Sequence, residues 1–413
     1  MRERPDDLDA WVLAGQSNMQ GRAWLRGSLG PDPRVWSFSS AGAWERAVEP
    51  LHRLWESFTP VHQAYMRPGL SPSDRSMTDA ELALREAREA TNGAGLGIAF
   101  GIAMADALRR PIGLIPAAHG GTSLAQWSET ARNQGGGSLY GAMLERIRRA
   151  GGRLRGVLWY QGESDTDQVA DSLSYAERFD RWIAALRADT GMPNLPVVVV
   201  QIGRVLPPSA GPGRVRVPGW DIVREAQATL PGRTPATAVT SAVDLPLTDS
   251  IHIGTAGLIR LGRRLARLAL HLTDKPSIPA GPSVSGFEPW ITPSGDRNGV
   301  RVRFKGMTGA WSRTDSIGGF LFHPADSSPS DSSPVDSSPA AEPPIVINAS
   351  VDGEAGDGSV LLLLDRAPAP GEKISYGLGT DPRCDLVDGA DMPLCSFMPR
   401  PVLPAAGSTT RLG

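Results

Sequence analysis

The sequence predicts an α/β fold in two domains: a three-layer α/β/α sandwich around a mostly parallel sheet, and a small C-terminal all-β domain. From residue 10 to about residue 272, short apolar runs alternate with segments of helical period, the pattern of a parallel sheet covered by helices on both faces. After Pro276, short strand-like runs follow one another between Gly, Pro and Asp turns. With 413 residues the chain is longer than one hydrophobic core usually holds, so we divide it into domains 1–275 and 276–413.

The strands of the first domain are predicted from short runs of apolar residues, as expected where a strand is buried on both faces. They are residues 11–14, 35–38, 112–116, 156–160, 197–202 and 236–243. Helices are predicted where apolar residues recur on one face, within residues 96–108, 175–186 and 258–272. The last helix carries, on the face opposite its leucines, a row of arginines that we interpret as solvated: Arg260, Arg263, Arg264 and Arg267. Residues 39–94 show weak periodicity and several prolines, which indicates an irregular insertion over the site with one helix near residues 78–90.

The second domain is predicted to be built from short strands without helices. They are residues 300–304, 319–322, 345–347, 360–364 and 373–376. An Asp-Ser-Ser-Pro repeat beginning at Asp326, Asp331 and Asp336 offers nothing apolar to bury, so a disordered loop is predicted at about residues 324–344. Two cysteines, Cys384 and Cys395, do not make a disulfide framework, and we interpret them as free thiols.

The composition is that of an ordinary globular protein and excludes several classes of partner. The net charge is −2 and the charges are interspersed, which argues against binding to nucleic acid or to an anionic membrane. The longest apolar stretch, around residues 96–108, is shorter than a membrane span. The charged N-terminus leaves no room for the apolar core of a secretory signal. We therefore expect a soluble, cytoplasmic protein, with a trimmed or unconventionally exported form left open, as is the oligomeric state.

Ser17 is the first candidate for chemistry because it follows the apolar run 10–14, within the segment Gly15-Gln16-Ser17-Asn18-Met19. A serine where a strand gives way to a loop has an exposed hydroxyl and a free backbone N–H, which suits a nucleophile once a base lies within reach. Taken alone, such a serine is more often a turn or cap residue. Its interpretation therefore depends on finding the base.

His252 is the histidine with the best context for that base. In Asp249-Ser250-Ile251-His252, the carboxylate lies three residues before the imidazole, so it can accept the Nδ1 proton and fix the tautomer of the ring. Asp249 would serve equally well as a cap for the helix that follows. Ser17, His252 and Asp249 together make a plausible catalytic triad.

Two further loops are predicted at the carboxyl ends of strands, where a serine hydrolase needs N–H donors for its oxyanion. One is residues 117–123, whose paired Gly120 and Gly121 let backbone amides approach a ligand closely. The other is residues 161–165, which places the side-chain amide of Gln161 at a strand tip. Each loop alone would indicate only a turn.

Together these segments resemble the SGNH (GDSL-like) hydrolases, and within them carbohydrate esterases similar to sialate O-acetylesterases and acetylxylan esterases. The matching segments are residues 15–19, 113–127, 159–165 and 249–254, in the family's order. The resemblance covers roughly residues 10–272, and a weaker likeness to the family's β-rich tail continues through residues 376–397. It implies a flavodoxin-like sandwich that removes O-acetyl groups from a carbohydrate through an acyl-enzyme. Because serine, imidazole and amide groups supply this chemistry, no cofactor and no metal are expected.

Carried onto this sequence, the resemblance implies that Ser17 is the nucleophile, His252 the base and Asp249 the acid that orients it. The N–H groups of Ser17 and Gly121 would form the backbone part of the oxyanion hole, with the amide of Gln161 as a third donor. Five neighbours are expected to bind the substrate or to support these groups: Gln16, Asn18, His119, Gly120 and Glu163.

Two of these neighbours have alternative interpretations. His119 stands where the family more often has a small or apolar residue, so it either touches the substrate or fills space, and we favour the second. Glu163 lies two residues beyond Gln161 and is a rival for the role of orienting acid. We favour Asp249 because its three-residue spacing delivers it to His252 locally.

Other functional classes fit less well. The α/β-hydrolases also order their triad Ser, Asp, His, but their nucleophile needs Gly-x-Ser-x-Gly, and position 19 is Met. Metal-dependent deacetylation would need a cluster of His and Asp at ligand spacing, which the scattered histidines do not offer. A non-catalytic carbohydrate-binding protein and an SGNH esterase for small non-sugar esters stay open as alternatives.

Overall fold

The computed structural model describes residues 5, 7–66, 91–206, 218–292, 295, 298–325 and 342–402. The chain divides into two compact units, Met1–Ile278 and Pro279–Gly413. The predicted α/β class is confirmed, since the first unit holds a mostly parallel sheet with helices and the second holds separate antiparallel sheets. The helix predicted near residues 78–90 and the Asp-Ser-Ser-Pro repeat lie outside the described residues.

The first unit is organised around β1, which lies in the middle of a seven-stranded sheet of order β4-β3-β6-β1-β7-β8-β9. Its strands are β1 (Asp9–Gly15), β2 (Ala23–Trp24), β3 (Val35–Phe38), β4 (Trp44–Arg46), β5 (Asn92–Ala94), β6 (Ile112–Pro116), β7 (Arg153–Tyr160), β8 (Val197–Gln201) and β9 (Thr237–Ser241). All neighbours in the large sheet are parallel except β3 and β4, and β2 and β5 form a separate antiparallel pair. Every residue of β1 is buried, which explains why residues 10–14 are continuously apolar rather than alternating.

Eight helices of the described residues accompany these strands. They are α1 (Ser17–Gln20), α2 (Pro60–Met66), α3 (Gly97–Leu108), α4 (Leu139–Ala150), α5 (Val169–Thr190), α6 (Pro218–Ala228), α7 (Leu230–Arg233) and α8 (Thr255–Leu272). Helices α3 and α8 pack against each other, and Gly262 permits their close approach because a Cβ there would lie 2.4 Å from the Leu96 carbonyl oxygen. Phe100 of α3 meets Trp11 of β1 edge to face at 5.4 Å.

A second pair of helices, α5 and α6, packs together, and an aromatic cluster joins α5 to β7. Trp159 of β7 lies 4.5 Å from Trp182 and 5.2 Å from Phe179, measured between ring centroids. Both partners come from the apolar stripe that predicted α5. The burial of three large aromatic side chains fixes α5 against the strand whose tip carries Gln161.

The structure departs from the sequence expectations in two places within this unit. The segment predicted to be irregular contains β4, β5 and α2, which are too short to produce a recognisable period. The arginine face of α8 is not uniformly solvated, because Arg264 is buried and its guanidinium pairs with Asp244 at 2.7 and 2.8 Å. The prediction for Arg264 is therefore wrong, and the reason is a carboxylate in the loop after β9 that sequence periodicity does not reveal.

The second unit contains two antiparallel sheets, of orders β10-β11-β14-β13 and β12-β15-β16. The strands are β10 (Ser283–Ile291), β11 (Asn298–Lys305), β12 (Phe320–His323), β13 (Val346–Val351), β14 (Val360–Leu364), β15 (Lys373–Tyr376) and β16 (Phe397–Pro401). Their inward side chains, including Val302, Leu362 and Tyr376, form a separate hydrophobic core.

Cys384 and Cys395 are not joined by a disulfide bond. No helix in the described parts of the chain combines the length and apolar character needed to cross a bilayer.

Candidate active site

Ser17 is the first residue of the one-turn helix α1, directly after β1 and Gln16. The sequence predicted a loop at this point, but the amides of Met19 and Gln20 both donate to the Gln16 carbonyl, at 2.9 and 2.8 Å. Gly15 has φ of 131°, and a Cβ there would lie 2.1 Å from the Tyr160 carbonyl oxygen, so glycine is required. Ser17 thus stands at the carboxyl edge of the central sheet, with 8% of its surface exposed.

His252 and Asp249 contact each other on the loop before α8. Asp249 Oδ2 lies 2.7 Å from His252 Nδ1, and Asp249 Oδ1 accepts hydrogen bonds from the amides of Ile251 and His252, at 2.8 and 2.7 Å. Burial acts to raise the pKa of Asp249, but these hydrogen bonds outweigh it and hold the pKa below its ordinary value. An ionised carboxylate at Nδ1 keeps the proton on that nitrogen and leaves Nε2 as the acceptor.

Asn18 joins the segment of Ser17 to the segment of His252. Its Oδ1 accepts the amide of Ile253 at 3.1 Å, and its Nδ2 donates to the carbonyl of Ile251 at 3.3 Å. The two residues flanking His252 are therefore held by the residue next to Ser17. Among the contacts of the described residues there is no hydrogen bond between Ser17 Oγ and the His252 ring, a bond that is often long until substrate binds.

Glu163 contacts Asn18, and among the described residues no hydrogen bond joins it to His252. It is 4% exposed, and its Oε1 accepts a hydrogen bond from Asn18 Nδ2 at 3.0 Å. Burial raises the pKa of Glu163 to about 7, although the bond from Asn18 opposes this shift. The Gln16 amide is best oriented with its nitrogen towards the Thr122 carbonyl at 3.1 Å and Glu163 Oε2 at 3.2 Å. Glu163 thus binds the side chains of both Gln16 and Asn18, the two neighbours of Ser17, and holds this segment in place.

Gln161 lies at the tip of β7 and is fully buried. Its Nε2 donates to Asp165 Oδ2 at 2.5 Å and to the Thr122 carbonyl at 3.0 Å, so both amide hydrogens have acceptors. Asp165, also fully buried, accepts the backbone amide of Leu124 at 2.8 Å. This network fixes the loop 120–124 to β7, and Gln161 can serve an oxyanion only if one amide hydrogen leaves its present acceptor.

The glycine pair 120–121 lies against Ser17. A Cβ placed on Gly120 would be 3.4 Å from Ser17 Cβ, and the Gly120 amide donates to Gln20 Oε1 at 2.8 Å. Gly121 has φ of 69°, with open space where a side chain would be. Since Gln20 Oε1 accepts the Gly120 amide, the next amide of the loop, that of Gly121, is a candidate donor to a ligand.

His119 contacts a second histidine that sequence reasoning missed. Its Nδ1 lies 2.9 Å from Nδ1 of His62, and both side chains are buried. Burial, followed by the charge of Arg22, lowers the pKa of His119 to about 4. His62 comes from the aperiodic segment 39–94, where no pattern marked it for the site. Across the described residues, no group of three or more His, Cys, Asp and Glu side chains is arranged to hold a metal ion.

A family model described as "Carbohydrate esterase, sialic acid-specific acetylesterase" matches residues 7–271, which is more than half of the chain. The chain belongs to this family. It is a carbohydrate O-acetylesterase by class, and the resemblance inferred from its four sequence segments is confirmed. The matched residues contain every predicted site residue, from Gln16 to His252.

Individual relatives extend this comparison. The esterase is 31% identical over 282 residues to a probable carbohydrate esterase of Arabidopsis thaliana, covering 63% of this chain and 89% of that protein. Its fold is similar to that of a carbohydrate acetylesterase from Xanthomonas citri, with a TM-score of 0.62, 20% identity, and coverage of 94% of this chain and 80% of that one. A crystal structure of an Arabidopsis thaliana protein matches with a TM-score of 0.46 and 29% identity, over 64% of this chain and 98% of that one.

Proposed function

We propose that the esterase removes an O-acetyl group from a carbohydrate through an acetyl-enzyme on Ser17. The observation that carries this proposal is the 2.7 Å contact between Asp249 Oδ2 and His252 Nδ1, on a loop that Asn18 ties to the serine segment. In this proposal, residues 1–275 form a flavodoxin-like three-layer sandwich that carries the chemistry, and residues 276–413 form an accessory β domain. Acetylated sialic acid, xylan and related sugars are all candidate substrates.

The reaction begins when His252 Nε2 takes the proton of Ser17 Oγ as that oxygen attacks the acetyl carbonyl carbon. The negative charge on the carbonyl oxygen is met by the amides of Ser17 and Gly121, with Gln161 as a third donor once it releases Thr122 or Asp165. The tetrahedral adduct then breaks its bond to the sugar oxygen, which receives the proton from His252. Water, deprotonated by His252, then attacks the acetyl-serine, and this second adduct breaks its bond to Ser17 Oγ, which takes the proton back from His252 as acetate leaves.

The test is to replace Ser17 by Ala and to measure acetate release from 4-nitrophenyl acetate and from acetylated sugars. We expect the rate to fall by roughly 10³-fold or more, because removing a covalent nucleophile removes the acyl-enzyme pathway. Ser28→Ala, in the turn after β2, is the matched control and should leave the rate unchanged. A Ser17→Ala protein of native circular dichroism that retains more than a few per cent of the rate would contradict the nucleophile assignment.

A further inference from the structure

Asp165 is a fully buried carboxylate that has no step of its own in the proposed reaction. It ends the short 3₁₀ turn Glu163–Asp165, which follows β7. The cation that faces it is Arg178 of α5, whose Nη2 lies 3.5 Å from Asp165 Oδ1 and makes no hydrogen bond to any described residue. Burying a carboxylate without a closely paired cation is costly, which indicates that this one has a use.

Both oxygens of Asp165 act as acceptors. Oδ2 accepts the side-chain amide of Gln161 at 2.5 Å and the backbone amide of Leu124 at 2.8 Å. Oδ1 lies 3.1 Å from the same Leu124 nitrogen and faces Arg178. Burial raises the pKa of Asp165, while the bonds from Gln161 and Leu124 oppose that shift. An ionised carboxylate fits this position because it offers two acceptor oxygens and no donor.

The main chain of Gln161 is fixed independently of its side chain. Its carbonyl oxygen accepts Gln227 Nε2 at 2.8 Å and the Tyr175 hydroxyl at 3.0 Å. Its side-chain oxygen, by contrast, is buried and accepts no hydrogen bond from any residue that the structure describes. The orientation of the side-chain amide therefore depends on the two acceptors of its nitrogen, Asp165 and the Thr122 carbonyl.

We propose that Asp165 is a positioning residue of the oxyanion hole, an inference that rests on the proposed esterase function. The 2.5 Å bond from Gln161 to Asp165 is charge-assisted, whereas the 3.0 Å bond to the Thr122 carbonyl joins two neutral groups. The weaker bond to Thr122 is the one that opens when the acetyl oxygen becomes negative. One hydrogen of Gln161 then serves the oxyanion while Asp165 holds the other and fixes the amide plane.

Arg178 is the second part of this arrangement. Its positive charge offsets that of Asp165, which would otherwise oppose an oxyanion held by Gln161. The guanidinium is held in place through Nη1, which donates to Asp171 Oδ1 at 3.0 Å and to Ser174 Oγ at 3.3 Å. Arg178 also lines a cleft of about 280 Å³, so a shorter side chain there enlarges an existing opening and leaves no closed void.

The first experiment measures kcat and KM on 4-nitrophenyl acetate for Asp165→Asn. In either orientation of the new carboxamide, its NH2 group faces a donor. Repulsion from Arg178 turns that NH2 group towards Gln161, whose amide then loses its acceptor. We expect kcat to fall roughly 10- to 100-fold, because an oxyanion donor is misplaced, with KM changed by less than about threefold.

Arg178→Gln tests the same arrangement from α5 and keeps it testable if Asp165→Asn fails to fold. We expect kcat to fall roughly 3- to 10-fold with KM unchanged, because the charge of Asp165 then opposes the oxyanion. Arg181→Gln is the matched control. Arg181 lines the same cleft and pairs with Glu177, but among the contacts of the described residues it has none with Asp165, so kcat should not change.

Gln161→Met separates positioning from a general structural role. In that background, adding Asp165→Asn should change kcat by less than about threefold, because the group through which Asp165 acts is gone. Losses that multiply in the double variant would overturn the positioning role, and so would an unchanged kcat in both Asp165→Asn and Arg178→Gln. Either result leaves the esterase proposal standing. A wild type that does not hydrolyse 4-nitrophenyl acetate would overturn the esterase proposal and this inference with it.

Discussion

At the scale of single residues, Asp249 and Glu163 differ in what their carboxylates touch. Asp249 contacts the ring of His252 at 2.7 Å, whereas Glu163 accepts a hydrogen bond from Asn18 at 3.0 Å. We expect Asp249→Asn to lower kcat roughly 10²- to 10⁴-fold with little change in substrate affinity, because an amide cannot stabilise the imidazolium that forms.

Glu163→Gln is the matched comparison, since its carbonyl oxygen can still accept the Asn18 hydrogen bond. It should mainly weaken substrate binding or disturb the Gln161 loop, with a much smaller effect on kcat. Steady-state kinetics on one acetate ester would measure both variants. A near-inactive Glu163→Gln beside a nearly normal Asp249→Asn would assign the orienting role to Glu163 and leave Asp249 as a helix cap.

The buried carboxyl of Glu163 also makes stability depend on pH. Burial raises its pKa to about 7 from the ordinary value of 4.5, so between these values the folded protein holds a proton that the unfolded chain has released. The free energy of unfolding should therefore fall as pH rises through this window. When the pH is raised from 4 to 8, the free energy of unfolding of Glu163→Gln should rise relative to that of the wild type by on the order of 3 kcal/mol.

Urea denaturation of both proteins at several pH values would measure this difference. Glu49, whose pKa burial also raises to about 7, is present in both proteins and contributes equally to each curve. Parallel curves for wild type and variant would show that the Glu163 carboxyl has an ordinary pKa in the folded state.

At the scale of elements, α8 is held by an ion pair on the side away from its leucine stripe. Arg264 is buried and pairs with Asp244, which is itself largely buried and lies 3.5 Å from the more exposed Arg260. Arg264→Met should lower the free energy of unfolding by roughly 2–3 kcal/mol, because it leaves a buried carboxylate with only the more distant arginine. Arg263→Met, one position along on the solvent side, should change stability by less than about 0.5 kcal/mol.

Thermal and urea unfolding would compare the two methionine variants directly. Because α8 begins three residues after His252, kcat should be followed at a temperature where both variants are fully folded. Equal stabilities for the two variants would mean that the Arg264–Asp244 pair contributes no net stabilisation.

The elements differ in how far the sequence could predict them. The strands β1, β6, β7 and β8 and the helices α3, α5 and α8 were predictable because each strand carries a continuous apolar run and each helix an apolar stripe. Strands of two or three residues, such as β2 and β5, give no period and depend on partners far along the chain. The sequence did not predict that Arg22 and His62 lie near the site, because tertiary contacts and not a local pattern place them there.

At the scale of the whole molecule, the sequence predicted which segments form the candidate site. It did not predict which side chains of those segments contact each other. The carboxyl ends of parallel strands share one edge of a sheet, so motifs after β1, β6 and β7 had to converge there. Which side chain would touch which was beyond sequence reasoning. Asn18 bridges Glu163 to the His252 loop, and Gln161 is bound by Asp165, through geometry that spacing alone does not specify.

The central position of β1 also governs when this site can form during folding. β1 pairs on one side with β6 and on the other with β7, about 100 and 145 residues further along the chain. Such distant parallel pairings form slowly, because the chain loses the entropy of closing the long intervening loops before any stabilising contacts have formed. A nascent chain that ends before β7 lacks one of the two strands that flank β1 and therefore cannot yet position Ser17. Esterase activity should then appear only when the sheet is complete.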